Sequence, residues 1–561
     1  MVSLKSKSIF QTHLIMKKQF FLALFSALVL SANAQIEPAL PADLYSNLSF
    51  PMEKVVAPTF PANVVSITDF GAKGDGKFDN TTAFAKAIDA IVAKGGGTVE
   101  IPAGTWLTGP IVLKSNVCLN SAKGALVLFT PDLSHYPMIA GNFEGVNTYR
   151  CQSPISAYHA SNIAIIGNGV FDGSGQAWRP LKKNNAPLSV WEQQIPSGGV
   201  LDESKKTWWP SEGALRGSRL STDQNVPNVS DIKTWKEIKD YLRPVMIEFD
   251  SCQNVYLEGI TVQNSPAWTI HPLMCDNVLL NGLTVRNPEY GANTDGIDIE
   301  SSKNVVLCNS SFSVGDDGIC VKSGKNESGR KRGIPTENLL VENCTVYHAH
   351  GGFVVGSEMS GGVRNVKVSH CNFIGTDAGL RFKSTRGRGG VVENIYISDI
   401  NMADIKTDAI LFDLFYGGKT NNKVVMADVT TPVFRKIFMK NIVCKGAKRA
   451  LFFNGLPEMF LRDISLENAQ LTADSGGSIR ETSNISLSNV SIITSSNPSL
   501  ELTNTQYATF DKLMFPGDEH PIIALNGTDC QYIQITHSPG ITYSNITWSD
   551  HATKDAIEIR P

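Results

Sequence analysis

Residues 253–315 contain the run that decides the fold: Gln253–Ser265 (QNVYLEGITVQNS), Asp276–Pro288 (DNVLLNGLTVRNP) and Lys303–Gly315 (KNVVLCNSSFSVG) are three copies of one unit. Each opens on Asn, runs hydrophobic-x-hydrophobic, takes a polar step and closes with a second short alternating segment. The unit begins at residue 161 (SNIAIIGNGVFDG) and returns at 337–349, 364–376, 393–405 and 483–495. Its leading asparagines at 254, 277, 304, 338, 365 and 394 are spaced 23, 27, 34, 27 and 29 residues apart, a coil period carrying loops of different lengths. Strands of three to five residues between polar turns, without sustained helical periodicity, predict an all-β chain wound as a parallel β-helix. The asparagines read as a ladder at one turn of the coil rather than as catalytic groups.

Outward from the repeats, the N-terminal side differs. Asn80–Lys94 places Phe84, Ala87, Ile88 and Ile91 at helical spacing, with Asn80 or Thr81 as the cap and Gly95-Gly96-Gly97 as the stop. A solenoid exposes an unpaired edge at its end, and this helix is expected to cover it. The glycines at 71–76 and 95–97 lack the spacing of a phosphate loop and read as turns. Residues 174–242 interrupt the repeat and hold five of the eight tryptophans, Trp178, Trp191, Trp208, Trp209 and Trp235. Two readings stand: rings that stack on sugars and wall one end of a cleft, or a small aromatic core of the insertion's own.

A chain of 561 residues, 42% hydrophobic and 18% charged, can bury a large core, and a net charge of −3 excludes a general polyanion-binding surface. Recognition of an acidic ligand must therefore be local. Met16-Lys17-Lys18, the apolar stretch Phe20–Leu30 and Ala32-Asn33-Ala34 read as a signal peptide over residues 1–34, which implies an exported protein, periplasmic or extracellular. Residues 35–64 form an N-terminal extension and 65–561 the β-helix domain with its insertion at 174–242. No later run reaches the roughly 18 apolar residues of a membrane span. Ten cysteines in an exported chain suggest disulfides, but Cys252 and Cys275 precede Asn254 and Asn277 by two residues, and Cys344 and Cys371 follow Asn338 and Asn365 by six. Such positions stack small buried residues, so buried thiols are favoured over bridges.

Four short strings carry the chemistry: GANTDGIDIE (291–300), SVGDDGICVKSG (313–324), HAHGGFVVGSE (348–358) and GLRFKS (379–384). Asp295 and Asp316 are 21 residues apart, about one coil, so stacking is expected to set them on neighbouring rungs near 4.8 Å apart. Clustered aspartates raise the pKa of at least one member, so the cluster can hold a proton for a leaving group and a carboxylate for water. Arg381 and Lys383, two apart on a strand, point the same way and suit a planar carboxylate on a ligand. Lys322 and Tyr416 are weaker candidates for binding the same ligand, and Asn293 for orienting a neighbour.

The four strings resemble, in order, the signatures of the polygalacturonase family, glycoside hydrolase family 28: Asn293-Thr294-Asp295, Gly315-Asp316-Asp317, His350-Gly351 and Arg381-Phe382-Lys383. Ala349 replaces the first Gly of the family's Gly-His-Gly, and Phe382 its Ile; neither change removes a polar group. The resemblance covers about Val65–Gly418. It implies a right-handed, single-stranded, pectin-lyase-like β-helix and hydrolysis of α-1,4-galacturonosyl linkages with inversion. It also implies Asp316 as general acid, Asp295 and Asp317 as holders of the water, and His350 as a setter of protonation or a substrate ligand. No cofactor, metal or nucleic acid is implied; the partner is a polysaccharide and the chain a monomer. The strings 348–366 and 375–390 resemble bacterial exo-acting members, and a walled cleft end fits cutting from chain termini. Rhamnogalacturonan and xylogalacturonan remain alternative substrates. A calcium-dependent pectate lyase and a non-catalytic carbohydrate-binding β-helix are the readings of other classes, and the four linked strings fit both less well.

Overall fold

The computed structural model describes residues 39–561 apart from 224, 422 and 518–521, so the signal-peptide reading of 1–34 lies outside the described residues. Apart from the antiparallel hairpin at 138–151 and the short antiparallel pairings inside the insertion, the strands from Val64 to Arg560 pair in parallel, each with the strand one coil on, in a 34-stranded sheet. The offsets between paired strands reproduce the asparagine spacing: Gln253 faces Asp276, Asp276 faces Lys303, Lys303 faces Glu337, Arg364 follows and then Glu393. The chain is a parallel β-helix.

Six strands form one row, β1 (Ile247–Asp250), β2 (Ile270–Leu273), β3 (Ile297–Glu300), β4 (Ile319–Lys322), β5 (Gly351–Val355) and β6 (Ala378–Lys383), each parallel to the next, and the last four carry the functional strings. Alternation sorts their residues. Ile297, Ile299, Ile319, Val321, Phe353, Val355, Leu380 and Phe382 enter the central core. Asp298, Cys320 and Arg381 share an outward column in register, and Glu300 and Lys322 stand beside it. Phe382 stacks on Phe412 at 4.4 Å inside the solenoid, which explains why Phe replaces Ile there without touching the site.

The asparagine ladder forms. The Nδ2 of Asn365 donates to Asn338 at 3.2 Å, that of Asn338 to Asn304 at 3.1 Å, and that of Asn277 to Asn254 at 2.9 Å. All sit at φ between 53° and 58°, the left-handed turn that asparagine tolerates best after glycine. One rung departs from the pattern, where Asn304 donates to Asp276 instead of Asn277.

Helix α1 (Thr81–Ala93) buries Phe84, Ala87, Ile88 and Ile91 against the first strands, as the periodicity predicts. Its cap differs from expectation. The Asn80 side chain is buried and ties together Lys73, Phe78 and Leu107 backbone groups, while Asp79 Oδ1 accepts the Thr81 N–H at 2.9 Å. A site with four backbone partners outcompetes the helix end for an amide side chain.

The insertion resolves the choice between its two readings. Trp178, Trp191, Trp208 and Trp235 are buried, and Trp209 packs on the same cluster as Trp178 and Trp235. These rings build two small cores, and the four buried ones present no face to a sugar. All ten cysteines are buried and free; Cys344 and Cys371 fall on adjacent rungs, as expected of buried thiols.

Candidate active site

The coil offset at the site is 22 residues, because Ile297 pairs with Ile319 and Gly296 N–H donates to Asp317 C=O at 2.9 Å. Asp295 therefore lies across from Asp317, not from Asp316 as a 21-residue step would have it. Oxygens of Asp295 and Asp317 and the Cys320 sulfur lie within 4.8 Å of one another. Asp316 aims elsewhere: its Oδ1 lies 3.1 Å from His350 Nδ1 and accepts the Asp317 N–H at 3.0 Å. His350 is itself held on the next rung, its N–H donating to Asp316 C=O at 2.9 Å.

Arg381 and Lys383 do point the same way, and what they meet is Asp317. Lys383 Nζ donates at 2.7 Å and Arg381 Nη1 at 3.1 Å. Tyr416 lies beside both, its ring centroid 5.0 Å from Lys383 Nζ and 5.8 Å from Arg381 Cζ. Lys322 is buried, 3.1 Å from Glu358 and 3.5 Å from Asp298, with its ammonium 4.9 Å from the Trp268 ring. Asn293 sits at φ 55° and accepts from Arg243 Nη2 at 2.8 Å. Arg243, the first residue after the insertion, also donates to Ala292 and Pro266 carbonyls, so the chain leaving the insertion holds the loop that delivers Asp295.

These surroundings divide the three aspartates. Burial pushes the Asp295 carboxyl well above the usual range, and the charges of Asp298, Asp316 and Asp317 add to it against Lys322. Asp317 is as deeply buried, but Lys383, Arg381 and Lys322 outweigh burial and hold it far below that range. For Asp316, burial is outweighed by the hydrogen bond and charge of His350 and by Lys383, so it too stays ionised. That hydrogen bond in turn raises His350 against its own burial. Only Asp316 of the three has an open side chain, 22% exposed against 1% for Asp317. The arrangement offers a proton on Asp295 opposite a carboxylate on Asp317, and a second proton shared between His350 and the accessible Asp316.

Sequence reasoning overlooked Asp298, Glu358 and Arg243. Asp298 and Glu358 stood inside the quoted strings, and alternation in β3 already turned Asp298 outward with Ile297 and Ile299 inward. Arg243 lies beyond any motif. As a metal centre, Asp295, Asp317 and Cys320 form a poor donor set for a hard cation: one ligand is a thiol and one carboxylate is already neutralised by two cations.

A carboxylate cluster with adjoining cations on the outer face of a parallel β-helix has the layout of a glycoside hydrolase. The model of glycosyl hydrolases family 28 matches residues 189–491, and the chain belongs to that family. A second model, rhamnogalacturonase A/epimerase, pectate lyase-like, matches residues 64–123. The chain is 28% identical over 442 residues to the exo-poly-alpha-D-galacturonosidase of Dickeya chrysanthemi, covering 76% of this chain and 70% of that one. It is 27% identical over 420 residues to a probable polygalacturonase of Vitis vinifera, covering 73% and 74%. Among solved structures it resembles the hyperthermoactive exopolygalacturonase of Thermotoga maritima, with TM-score 0.64 and 32% identity over 78% of this chain and 94% of that one. The protein is a glycoside hydrolase of the polygalacturonase family, and its substrate is a polysaccharide. Among the described residues no helix is long and apolar enough to cross a membrane.

Proposed function

We propose that this chain is an exported hydrolase that removes units from the ends of α-1,4-linked galacturonan by a single inverting displacement. The observation that carries the reading is the unlike pair at the site: Asp317 ionised by Lys383 and Arg381, facing Asp295 within 4.8 Å. A water lying between them can donate to Asp317 and accept from Asp295, which aims one lone pair at the anomeric carbon. Asp316, open to the cleft, gives the leaving oxygen the proton it shares with His350, and the water's proton passes to Asp317 as the new C–O bond forms. The guanidinium of Arg381, 20% exposed, and the Tyr416 ring flank the position of the sugar.

Exo action is supported by the insertion, whose Leu181, Trp191 and Trp208 cluster packs against Tyr290 in the loop before Asp295. The hairpin of Met138–Phe143 and Val146–Cys151 adds to this wall, because Glu144 contacts Asn225 at 2.6 Å and Lys325 at 3.7 Å. A cleft walled on that side admits chain termini, and the Dickeya and Thermotoga relatives bear exo-acting names. Export rests on residues 16–34.

Polygalacturonate digestion with a chelator present tests the reading. Reducing ends released without ultraviolet absorbance of unsaturated uronides, as one small product with little early fall in viscosity, is the expected outcome. Unsaturated products would point to a lyase, and a rapid viscosity drop with a ladder of oligomers would sink the exo mode.

A further inference from the structure

The carboxyls around the site are unevenly provided with cations. Glu300 has Arg332 at 2.6 Å and His271 at 3.1 Å. Glu358 has Lys322 at 3.1 Å and Arg388 at 3.6 Å, Asp317 has Lys383 and Arg381, and Asp316 has His350. Two are left over. Asp295 has no ion pair among the described residues, and Asp298 has only a 3.5 Å share of the Lys322 that Glu358 holds more closely. Asp298 is wholly buried, and neither of its oxygens has a hydrogen-bond partner; Asp295 Oδ1 is in the same condition, as is the Nδ1 of His271 one rung below. A doubly ionised Asp295/Asp298 pair would be two buried charges with only a share of Lys322, which Glu358 already holds, between them, and a protein interior does not sustain that.

We infer that Asp298 is a buried proton carrier that sets the charge of the site, neutral when the enzyme accepts its anionic substrate and ionised when it rejects it. The groups facing it are Glu300 on its own strand and Asp295 in the loop before it, His271 and Glu248 on the rungs below, Cys320 and Lys322 on the rung above with Asp316 and Asp317 in the turn that leads into it, and Glu358 beyond Lys322. With Asp295 and Asp298 neutral, Glu300, Glu358, Asp316 and Asp317 are each matched or outnumbered by cations, and a uronate finds a site of opposite sign. Ionising Asp298 adds a negative charge that no nearby cation is free to balance. Burial and the charges of Asp317 and Asp316, against Lys322 and His271, bring its carboxyl up to about 7, so the change falls within an ordinary assay range. Asp298 does not touch the reacting atoms; it acts through the field at the substrate carboxylate, so the effect belongs in KM.

This inference rests on the galacturonan reading for its consequence, but its first test needs no substrate. In the intact wild-type protein, infrared titration should show a protonated carboxyl band lost with a midpoint near 7, and Asp298→Asn should lack it. A wild-type protein with no carboxyl titrating between pH 6 and 8 overturns the proposal even if the variant fails to fold. On polygalacturonate, KM of the wild type should rise about tenfold per pH unit above the midpoint, the slope of a single obligatory proton, and Asp298→Asn should flatten that rise. A KM limb unchanged in Asp298→Asn would assign it to His350 and refute the inference. Failure to hydrolyse polygalacturonate, with the infrared band present, would count against the substrate reading alone.

Discussion

Lys383 shows how far a residue's role depends on what it meets. Two cations at i and i+2 on a strand read as a clamp for a sugar carboxylate, yet Lys383 is 7% exposed and its shortest contact is Asp317. Burial works against its ammonium, but Asp317 raises it to about 12, so it remains charged throughout the working range. Lys383→Met should therefore do more than weaken substrate binding. Asp317 loses its closest cation, its carboxyl moves up, and the base is protonated at pH values where the wild type is active. The expected outcome is a kcat loss of about 10²-fold or more, with the acidic limb of the kcat profile moved to higher pH. A rise in KM alone, with an unmoved limb, would return Lys383 to the substrate. Asp295, Asp316, Asp317, His350, Arg381 and Lys383 were legible as a cluster because they sit in four strings at coil spacing. Their division of labour was not, because it depends on which side chain stands opposite which, and a shift from 21 to 22 residues changes the partner of Asp295.

At the scale of elements, the coil turn with its asparagine is the repeating joint. Asn338 accepts from Asn365 and donates to Asn304 while holding φ 57°. Asn338→Ala loses both bonds and puts a methyl group in a left-handed turn, a cost of about 2–3 kcal/mol; Asn338→Gly keeps the turn and loses only the bonds, about 1 kcal/mol. Urea denaturation should rank wild type, Gly and Ala in that order, with kcat unchanged. Equal losses for the two variants would mean that the turn conformation contributes nothing. The ladder was readable from spacing alone because stacking imposes one period on sequence and structure alike. The insertion was not: its tryptophans are compatible with a sugar platform or a buried core, and only burial tells the two apart. Likewise Asn80 looked like a helix cap until four backbone groups were found around it.

For the whole molecule, the same buried carboxyls tie stability to pH. Asp295 and Asp298 have raised pKa values, so above about 4, and for Asp298 up to about 7, the native state binds protons that the unfolded chain has released, and stability falls as pH rises. Asp317 and Glu358 are lowered, so their contribution is present above about 4 and is lost as pH falls below it. The two trends place the stability maximum on the acidic side of neutrality. Asp298 alone accounts for on the order of 4 kcal/mol between its unfolded value and 7. Denaturant midpoints at pH 5 should exceed those at pH 8, and Asp298→Asn should reduce the difference; a maximum at pH 8 would contradict the charge assignment.

The parallel stack also sets where the chain tolerates changes in length. Between Asp295 and Lys383 the chemistry is drawn from successive rungs, so adding or removing a single residue within a strand there turns every later side chain of that strand to the opposite face. From Val433 to Arg560 the rungs repeat with no member of the cluster among them. Whole coils can be gained or lost in that stretch, with the last coil kept as a terminus, and the distance from Asp317 to Lys383 stays as it is. The protein is thus divided into a stretch where length is fixed by chemistry and a stretch where it is free to drift.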